Sequence, residues 1–186
     1  MQVIGVGLPR TGTRSLAEAL TILGYRTLHY APDLRHDRRW PRVFDGYDAA
    51  TDYPCSGWWP QLLGAYPEAL VILTVRRQLA TWVASMGRHI GACRVPCDRR
   101  RQEAEAVHTC LSGEPYPSAE RLAAAYTEHT ARVLAGIDAD RLLILAVDGE
   151  GQWDVLCTFL DRPLPGIPFP WLNRGETPET APQPAP

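Results

Sequence analysis

The stretch from Gly7 to Ser15 combines the residue types that hold an anion. It reads GLPRTGTRS, after an apolar run at residues 3–6 and before an amphipathic pattern that begins at Ser15. A loop between a strand and a helix directs backbone N–H groups and the positive end of the helix dipole to one point. Arg10 adds a guanidinium that matches phosphate or sulfonate oxygens, and its neighbours add hydroxyl groups. We therefore predict an oxyanion-binding loop made of Pro9, Arg10, Thr11, Gly12, Thr13, Arg14 and Ser15.

The spacing of Gly7 and Gly12 is also that of a Walker A loop, but Thr13 stands where that motif needs lysine. The chain contains no lysine, and all 19 of its basic residues are arginine. A nucleoside-triphosphate hydrolase would lack the ammonium group that reaches its β and γ phosphates. A kinase or ATPase with a Walker-B-like strand at residues 142–148, and a non-catalytic nucleotide-binding domain, remain as alternative functions.

A second anion site is predicted after the most apolar run of the chain, residues 69–75. Arg76 and Arg77 follow this run directly, and Ser85 lies eight positions beyond Arg77. A guanidinium and a hydroxyl group near the start of a helix could together hold a second phosphate. The sequence leaves open which of the two arginines does so.

Three segments together resemble the P-loop sulfotransferases. The run P-R-T-G-T-x-S-L from Pro9 is similar to their 5′-phosphosulfate loop, in the form with arginine that is common in the bacterial branch. The strand followed by Arg76, Arg77 and Ser85 resembles their 3′-phosphate site. The segment from Trp153 to Asn173 resembles the end of the bacterial members. The resemblance implies that 3′-phosphoadenosine 5′-phosphosulfate (PAPS) is the donor and adenosine 3′,5′-bisphosphate the product.

The implied reaction transfers a sulfuryl group to a hydroxyl group or amine of a small molecule. The donor oxygens need neutralisation, which we assign to Arg10, and the acceptor needs a base. Asp52 follows a short predicted strand at a position that resembles that of the family's activating residue, and we favour it over His29, whose ordinary pKa lies nearer neutrality. The mechanism requires no metal. An apolar or aromatic acceptor pocket is expected from Trp40, Tyr53, Trp58 and Trp59.

Strand-like runs alternate with helical patterns, which predicts an α/β fold: a three-layer, doubly wound parallel sheet of the P-loop type with helices on both faces. Ligands of such folds bind at the carboxyl ends of the strands, where Arg10, His29, Asp52 and the arginine pair fall. We expect one domain over residues 1–175, a mobile lid with one short helix at 89–117, and a disordered tail at 176–186.

The composition excludes several classes of protein. With 186 residues, 45% hydrophobic content and a net charge of −2, the chain is typical of a globular protein with no general affinity for nucleic acid. Its apolar runs are too short to span a membrane, and the start is unlike a signal peptide. The five cysteines are expected to be free thiols in a cytoplasmic protein. The oligomeric state is not indicated.

Overall fold

A computed structural model describes residues 1–93 and 98–172, apart from the side chains of residues 35, 93 and 98–100. Five strands form one sheet: β1 (Val3–Gly5), β2 (Thr27–His29), β3 (Ala49–Thr51), β4 (Leu70–Val75) and β5 (Leu142–Ala146). The helices are α1 (Thr13–Ile22), α2 (Cys55–Ala65), α3 (Leu79–Cys93), α4 (Asp98–Ser112), α5 (Ala119–Gly136) and α6 (Gln152–Leu160). Short 3₁₀ helices cover Pro32–His36, Arg42–Phe44 and Ala139–Arg141.

The sheet is parallel throughout, in the order β2-β3-β1-β4-β5. Val3 of the central strand lies opposite Ala49 on one side and Leu70 on the other. α-Helices follow β1, β3 and β4 before the next strand begins, because parallel strands cannot be joined by a tight hairpin. The predicted α/β fold with a doubly wound parallel sheet is confirmed.

Helices cover both faces of this sheet. Ile4, Val71 and Leu73 pack against α2 and α5, whereas Val3 and Ile72 point to the opposite face and pack against α1 and α6. Neighbouring residues of one strand are thus buried in opposite directions, which explains why the strands read as continuous apolar runs without alternation. The two packed layers hold the strand ends, and with them the loop after β1, in fixed positions.

The segment at 89–117 differs from the expectation of one short helix. Helix α3 continues to Cys93, and α4 is fifteen residues long. Ala104 and Val107 of α4 are buried, and α3 packs Trp82 and Met86 against Leu8 beside the loop after β1. The helical pattern of α4 was obscured because its first half is the charged run 98–103, so that few apolar residues mark its buried side. Residues 94–97 lie outside the described chain.

The chain after α6 returns to the loop after β1. Trp153 donates a hydrogen bond from its indole N–H to the carbonyl oxygen of Ile167 (2.8 Å) and contacts the ring of Phe169. The backbone N–H of Leu172 then donates to the hydroxyl oxygen of Ser15 (3.0 Å). Asn173 and the predicted tail at 176–186 lie outside the described residues. In the part of the chain that the structure describes, no helix has both the length and the apolar character needed to cross a membrane.

Candidate functional site

Two glycines let the loop after β1 lie against neighbouring strands. A Cβ atom on Gly7 would lie 1.9 Å from the hydroxyl oxygen of Thr74 on β4. A Cβ atom on Gly12 would lie 2.7 Å from Cβ of Val147, just beyond β5. Gly12 also has a left-handed backbone (φ 105°) at the residue that precedes α1. Glycine is therefore required at both positions for this loop shape.

We predict that Gly12→Ala lowers the free energy of unfolding by about 2–4 kcal/mol, the combined cost of a strained backbone and an overpacked contact. Gly24→Ala is the matched control, because Gly24 also has a positive φ (90°) but has nothing within 4 Å of the added Cβ atom. Urea unfolding of both variants measures the difference. Equal destabilisation would show that the contact with Val147 adds nothing.

Thr11 shapes the loop from within. Its side chain is buried, and its hydroxyl group donates to the carbonyl oxygen of Leu8 (2.6 Å). The hydroxyl oxygens of Thr11 and Thr74 are 2.6 Å apart, so Thr74 donates in return. The backbone N–H of Thr11 also donates to Leu8 (3.2 Å). Thr11, predicted as an anion ligand, thus uses both its side chain and its N–H group inside the loop.

Arg10 is held at the centre of the site by contacts on both sides. Its Nε donates to the hydroxyl oxygen of Ser85 on α3 (3.2 Å), and its carbonyl oxygen accepts from Nε of Arg76 (3.1 Å). The preceding carbonyl of Pro9 accepts from the indole N–H of Trp82 (2.9 Å). Arg10 itself has a left-handed backbone (φ 70°). Strain of this kind persists only where surrounding contacts enforce it, and it is common at functional sites.

The structure separates the two arginines that the sequence left undecided. Arg76 is half-buried, and its Nη1 lies 3.7 Å from Oδ2 of Asp148. Arg77 is exposed, and its backbone N–H donates to Oδ1 of Asp148 (3.3 Å). Arg76 and Ser85 are brought together with Arg10, whereas Arg77 remains at the surface. Asp148, the acidic residue of the Walker-B-like alternative, is engaged by this arginine pair.

Asp52 and His29 face each other at the ends of β3 and β2. Oδ1 of Asp52 accepts from the N–H of Tyr53 (2.7 Å), and Oδ2 accepts from the hydroxyl group of Thr13 (2.6 Å). Nε2 of His29 lies 3.9 Å from Oδ2. The carboxylate is almost fully buried, whereas 27% of the His29 side chain is exposed. Both sequence candidates for the base therefore belong to one pair.

The hydrogen bonds around His29 indicate which ring nitrogen carries the proton. Nδ1 lies 3.0 Å from the hydroxyl oxygen of Thr51, and that hydroxyl group donates to the carbonyl oxygen of Thr13 (3.4 Å). This arrangement agrees with the tautomer in which Nδ1–H donates to Thr51 and the lone pair lies on Nε2. Burial lowers the pKa of His29, the Asp52 carboxylate opposes this shift, and Arg14 adds to it. Burial thus favours the neutral form of the imidazole.

These groups surround one cavity of about 360 Å³. Its walls come from the loop, the ends of β2 and β3, helices α3 and α4, and the returning C-terminal segment. The described residues that line it are Pro9, Arg10, Gly12, Thr13, Arg14, Ser15, His29, Tyr30, Asp52, Arg76, Met86, His89, Glu103, Ala104, Val107, His108 and Leu172. The loop side carries the arginines, and the α3–α4 side presents apolar side chains, two imidazoles and the side chain of Glu103.

Sequence reasoning missed the contribution of α3 and α4. His89 lies four residues after Ser85 and hence on the same face of α3, a spacing that could have identified it. The ring of His89 meets that of His108 on α4 edge to face, with centroids 5.9 Å apart. Burial lowers the pKa of both imidazoles. The far wall of the cavity therefore presents two neutral histidines.

The aromatic residues expected to form the acceptor pocket belong elsewhere. Trp59 lies in the core cluster between the sheet and α2, and Trp40 contacts the ring of Trp58 edge to face (6.4 Å). Within the described chain, neither these three nor Tyr53 lines the cavity. Trp59 is buried in the core, and Trp40 packs against that core. The apolar wall of the cavity comes instead from Met86, Ala104 and Val107.

Comparison with known proteins adds two findings. The family model described as "Sulfotransferase domain" matches residues 2–177. The chain is also similar to "Ava biosynthesis cluster protein M" of Aspergillus versicolor, with 29% identity over 216 aligned positions that cover 92% of this chain and 80% of that protein.

Proposed function

Because this chain belongs to the sulfotransferase family, we propose that it transfers the sulfuryl group of PAPS to a hydroxyl group or amine of a small molecule. The observation that carries the proposal is that Arg10, Arg76 and the His29–Asp52 pair line one cavity, and that Nε of Arg10 donates to the hydroxyl oxygen of Ser85. A single ligand in this cavity would meet both the arginines and the His29–Asp52 pair. The name of the fungal relative, a biosynthesis cluster protein, agrees with a small-molecule acceptor.

The loop fits the phosphosulfate end of PAPS. Gly7 and Gly12 let the loop pack against Thr74 and Val147, and α1 begins directly after Gly12, so the positive end of its dipole lies at the loop. The hydroxyl group of Ser15 accepts from Leu172, so its own proton is available to an anion. Arg10 would hold the oxygen that links phosphate to sulfate and stabilise the charge that grows on it. Ser85 and Arg76 would hold the 3′-phosphate.

We assign the proton-accepting role to Nε2 of His29 rather than to Asp52. Both carboxylate oxygens of Asp52 already accept a hydrogen bond within the protein, from Thr13 and from Tyr53. The neutral form of His29, with its lone pair on Nε2, would accept the proton, and His29 is the more accessible of the two. Asp52 would then stabilise the imidazolium that forms when the acceptor proton arrives. This reverses the preference drawn from the sequence alone.

In the proposed transfer, the bond between the phosphate oxygen and sulfur breaks as a bond from the acceptor to sulfur forms. PAPS supplies the sulfuryl group as an electrophile when it is bound. Nε2 of His29 takes the proton from the acceptor as its oxygen or nitrogen forms the new bond to sulfur. Arg10 neutralises the phosphate oxygen that keeps the electron pair of the broken bond. Positioning and charge stabilisation supply most of the rate enhancement in transfers of this type.

The pH dependence of kcat/KM follows from this assignment. The pKa of His29 lies below its ordinary value of about 6.5, so the imidazole is still unprotonated at pH 6.5 and can accept a proton. The loss of kcat/KM on the acid side of the profile (the acid limb) should therefore occur below pH 6.5. Asp52→Asn removes the charge that favours imidazolium, so it should move the limb to still lower pH. Initial rates between pH 4.5 and 8 measure both positions. A limb above pH 6.5, or one that Asp52→Asn leaves in place, would contradict the assignment.

The proposed activity is tested with ³⁵S-labelled PAPS and a panel of phenols, alcohols and amines in buffer that contains EDTA. Labelled product is expected, because the assigned residues need no metal. Transfer of phosphate from ATP with magnesium, and no sulfuryl transfer, would instead support the kinase alternative. Binding of the donor without turnover of any acceptor would support a non-catalytic nucleotide-binding domain.

A further inference from the structure

The carboxylate of Asp148 contacts both arginines that follow β4. Its Oδ1 accepts a hydrogen bond from the backbone N–H of Arg77 (3.3 Å), and its Oδ2 lies 3.7 Å from Nη1 of Arg76. The side chains of Arg76 and Asp148 are only 15% and 18% exposed. Solvent ions screen a partly buried charge pair less than a pair at the surface. The carboxylate therefore restrains the guanidinium of Arg76.

The turn after β5 fixes the position of Asp148. Nε2 of Gln152 donates hydrogen bonds to the carbonyl oxygens of Val147 (3.0 Å) and Gly149 (2.7 Å), the residues on either side of Asp148. The backbone N–H of Gly149 donates to the carbonyl oxygen of Ala146 at the end of β5 (3.0 Å). The backbone around Asp148 is thus held both by α6 and by the sheet, which gives the carboxylate a defined position.

Two further contacts hold Arg76. Its Nε donates to the carbonyl oxygen of Arg10 (3.1 Å), and its backbone N–H donates to the hydroxyl oxygen of Tyr126 (3.1 Å). Within residues 1–93 and 98–172, neither Nη atom of Arg76 makes a hydrogen bond, although this residue lines the cavity. The guanidinium therefore keeps N–H donors for a ligand, while Arg10 and Asp148 restrain its orientation.

We propose that Asp148 is a positioning residue of the 3′-phosphate site, which it serves by holding the guanidinium of Arg76 ready for that phosphate. An unrestrained arginine would lose the rotamer freedom of its long side chain when the nucleotide binds, and the contact with Asp148 removes much of this freedom beforehand. The preference of the protein for a nucleotide with a 3′-phosphate consequently depends on the charge of Asp148. The inference rests on the proposed function, which assigns Arg76 to that phosphate.

Positioning and simple repulsion predict opposite results when the charge of Asp148 is removed. A carboxylate near a phosphate repels it, so repulsion alone predicts tighter binding of a 3′-phosphorylated nucleotide to Asp148→Asn. Positioning predicts weaker binding, because Arg76 is then held less firmly. A nucleotide without the 3′-phosphate should bind equally well in both cases, since it does not use Arg76.

The test is calorimetric binding of adenosine 3′,5′-bisphosphate and of adenosine 5′-monophosphate in buffer that contains EDTA. The wild type should bind the bisphosphate about 10- to 100-fold more tightly, the range expected for charge-assisted hydrogen bonds to one phosphate. Arg76→Ala should lose most of this preference. Asp148→Asn keeps an oxygen for the N–H of Arg77 and should lower the preference roughly 3- to 10-fold, within the coupling found between residues in contact. Its affinity for the monophosphate should not change.

Three further variants separate positioning from a general structural effect. Asp148→Glu keeps the charge and should recover part of the preference. Asp148→Asn in the Arg76→Ala background should have no additional effect, because the group that it positions is already absent. Asp154→Asn is the matched control and should behave as the wild type, since Asp154 is exposed in the first turn of α6 and does not line the cavity.

The inference is wrong if Asp148→Asn keeps the wild-type preference or binds the bisphosphate more tightly than the wild type does. It is also wrong if Asp148→Asn weakens both nucleotides equally, which is the result of a merely structural role. A wild type that does not distinguish the bisphosphate from the monophosphate would overturn the 3′-phosphate site of the proposed function itself. The wild type alone therefore tells that failure apart from a failure of the role assigned to Asp148.

Discussion

Arg10→Ala is expected to reduce sulfuryl transfer by about 10³-fold or more, within the range found for donors and arginines that stabilise a developing oxyanion. Arg10 lines the cavity, its guanidinium donates to Ser85, and its carbonyl oxygen accepts from Arg76. The loop backbone should survive, because Thr11, Trp82 and Thr74 fix it through contacts that do not involve the Arg10 side chain. The measurement is kcat/KM together with the melting temperature.

Arg77→Ala is the matched control for Arg10→Ala. Arg77 is exposed and contributes its backbone N–H to Asp148, a contact that alanine retains. The substitution should change kcat/KM by less than about threefold, since surface substitutions away from special features have small effects. Equal losses in the two variants would contradict the central role of Arg10 and would return Arg77 to the 3′-phosphate site.

His29→Asn is expected to lower kcat by about 10²- to 10⁴-fold, the usual contribution of a general base. Asparagine can donate to Thr51 in place of Nδ1 but has no group at the position of Nε2. The melting temperature should change little, because the side chain is partly exposed. His36→Asn, at an exposed histidine outside the cavity, serves as the control.

A comparison of His29→Asn with Asp52→Asn decides between the two candidates for the base. If His29 takes the proton, His29→Asn should lose more activity than Asp52→Asn, and its pH profile should lose the acid limb. The profile of Asp52→Asn should keep an acid limb, shifted to lower pH. A larger loss in Asp52→Asn, with an unchanged acid limb in His29→Asn, would assign the base to Asp52.

The sequence predicted the sheet and the loop well for a physical reason. Buried parallel strands read as short apolar runs, and in this fold the residue directly after such a run must lie at the carboxyl edge of the sheet. Arg10, His29, Asp52 and Arg76 lie at that edge in the structure. Their assignment as ligands or catalysts stays a prediction.

Contacts between distant segments could not be predicted in the same way. Whether Arg76 or Arg77 faces the cavity depends on one residue of register after β4, and the hydrogen bond from Arg76 to Arg10 spans 66 positions. The contribution of α4 to the cavity was not predicted because the arginines in its first half obscure the helical pattern of its apolar residues. On α3, the four-residue spacing of Ser85 and His89 could have been recognised. The tryptophans near β3 were assigned to a pocket because residue type alone does not distinguish a core position from a cavity wall.

Calorimetric titration of the wild type and of Arg10→Ala with adenosine 3′,5′-bisphosphate and with ATP decides whether the loop holds a bisphosphate nucleotide or a triphosphate. The bisphosphate should bind the wild type at least about tenfold more tightly than ATP, with or without magnesium, and Arg10→Ala should weaken its binding. Tighter binding of ATP, or binding of the bisphosphate that does not depend on Arg10, would contradict this expectation.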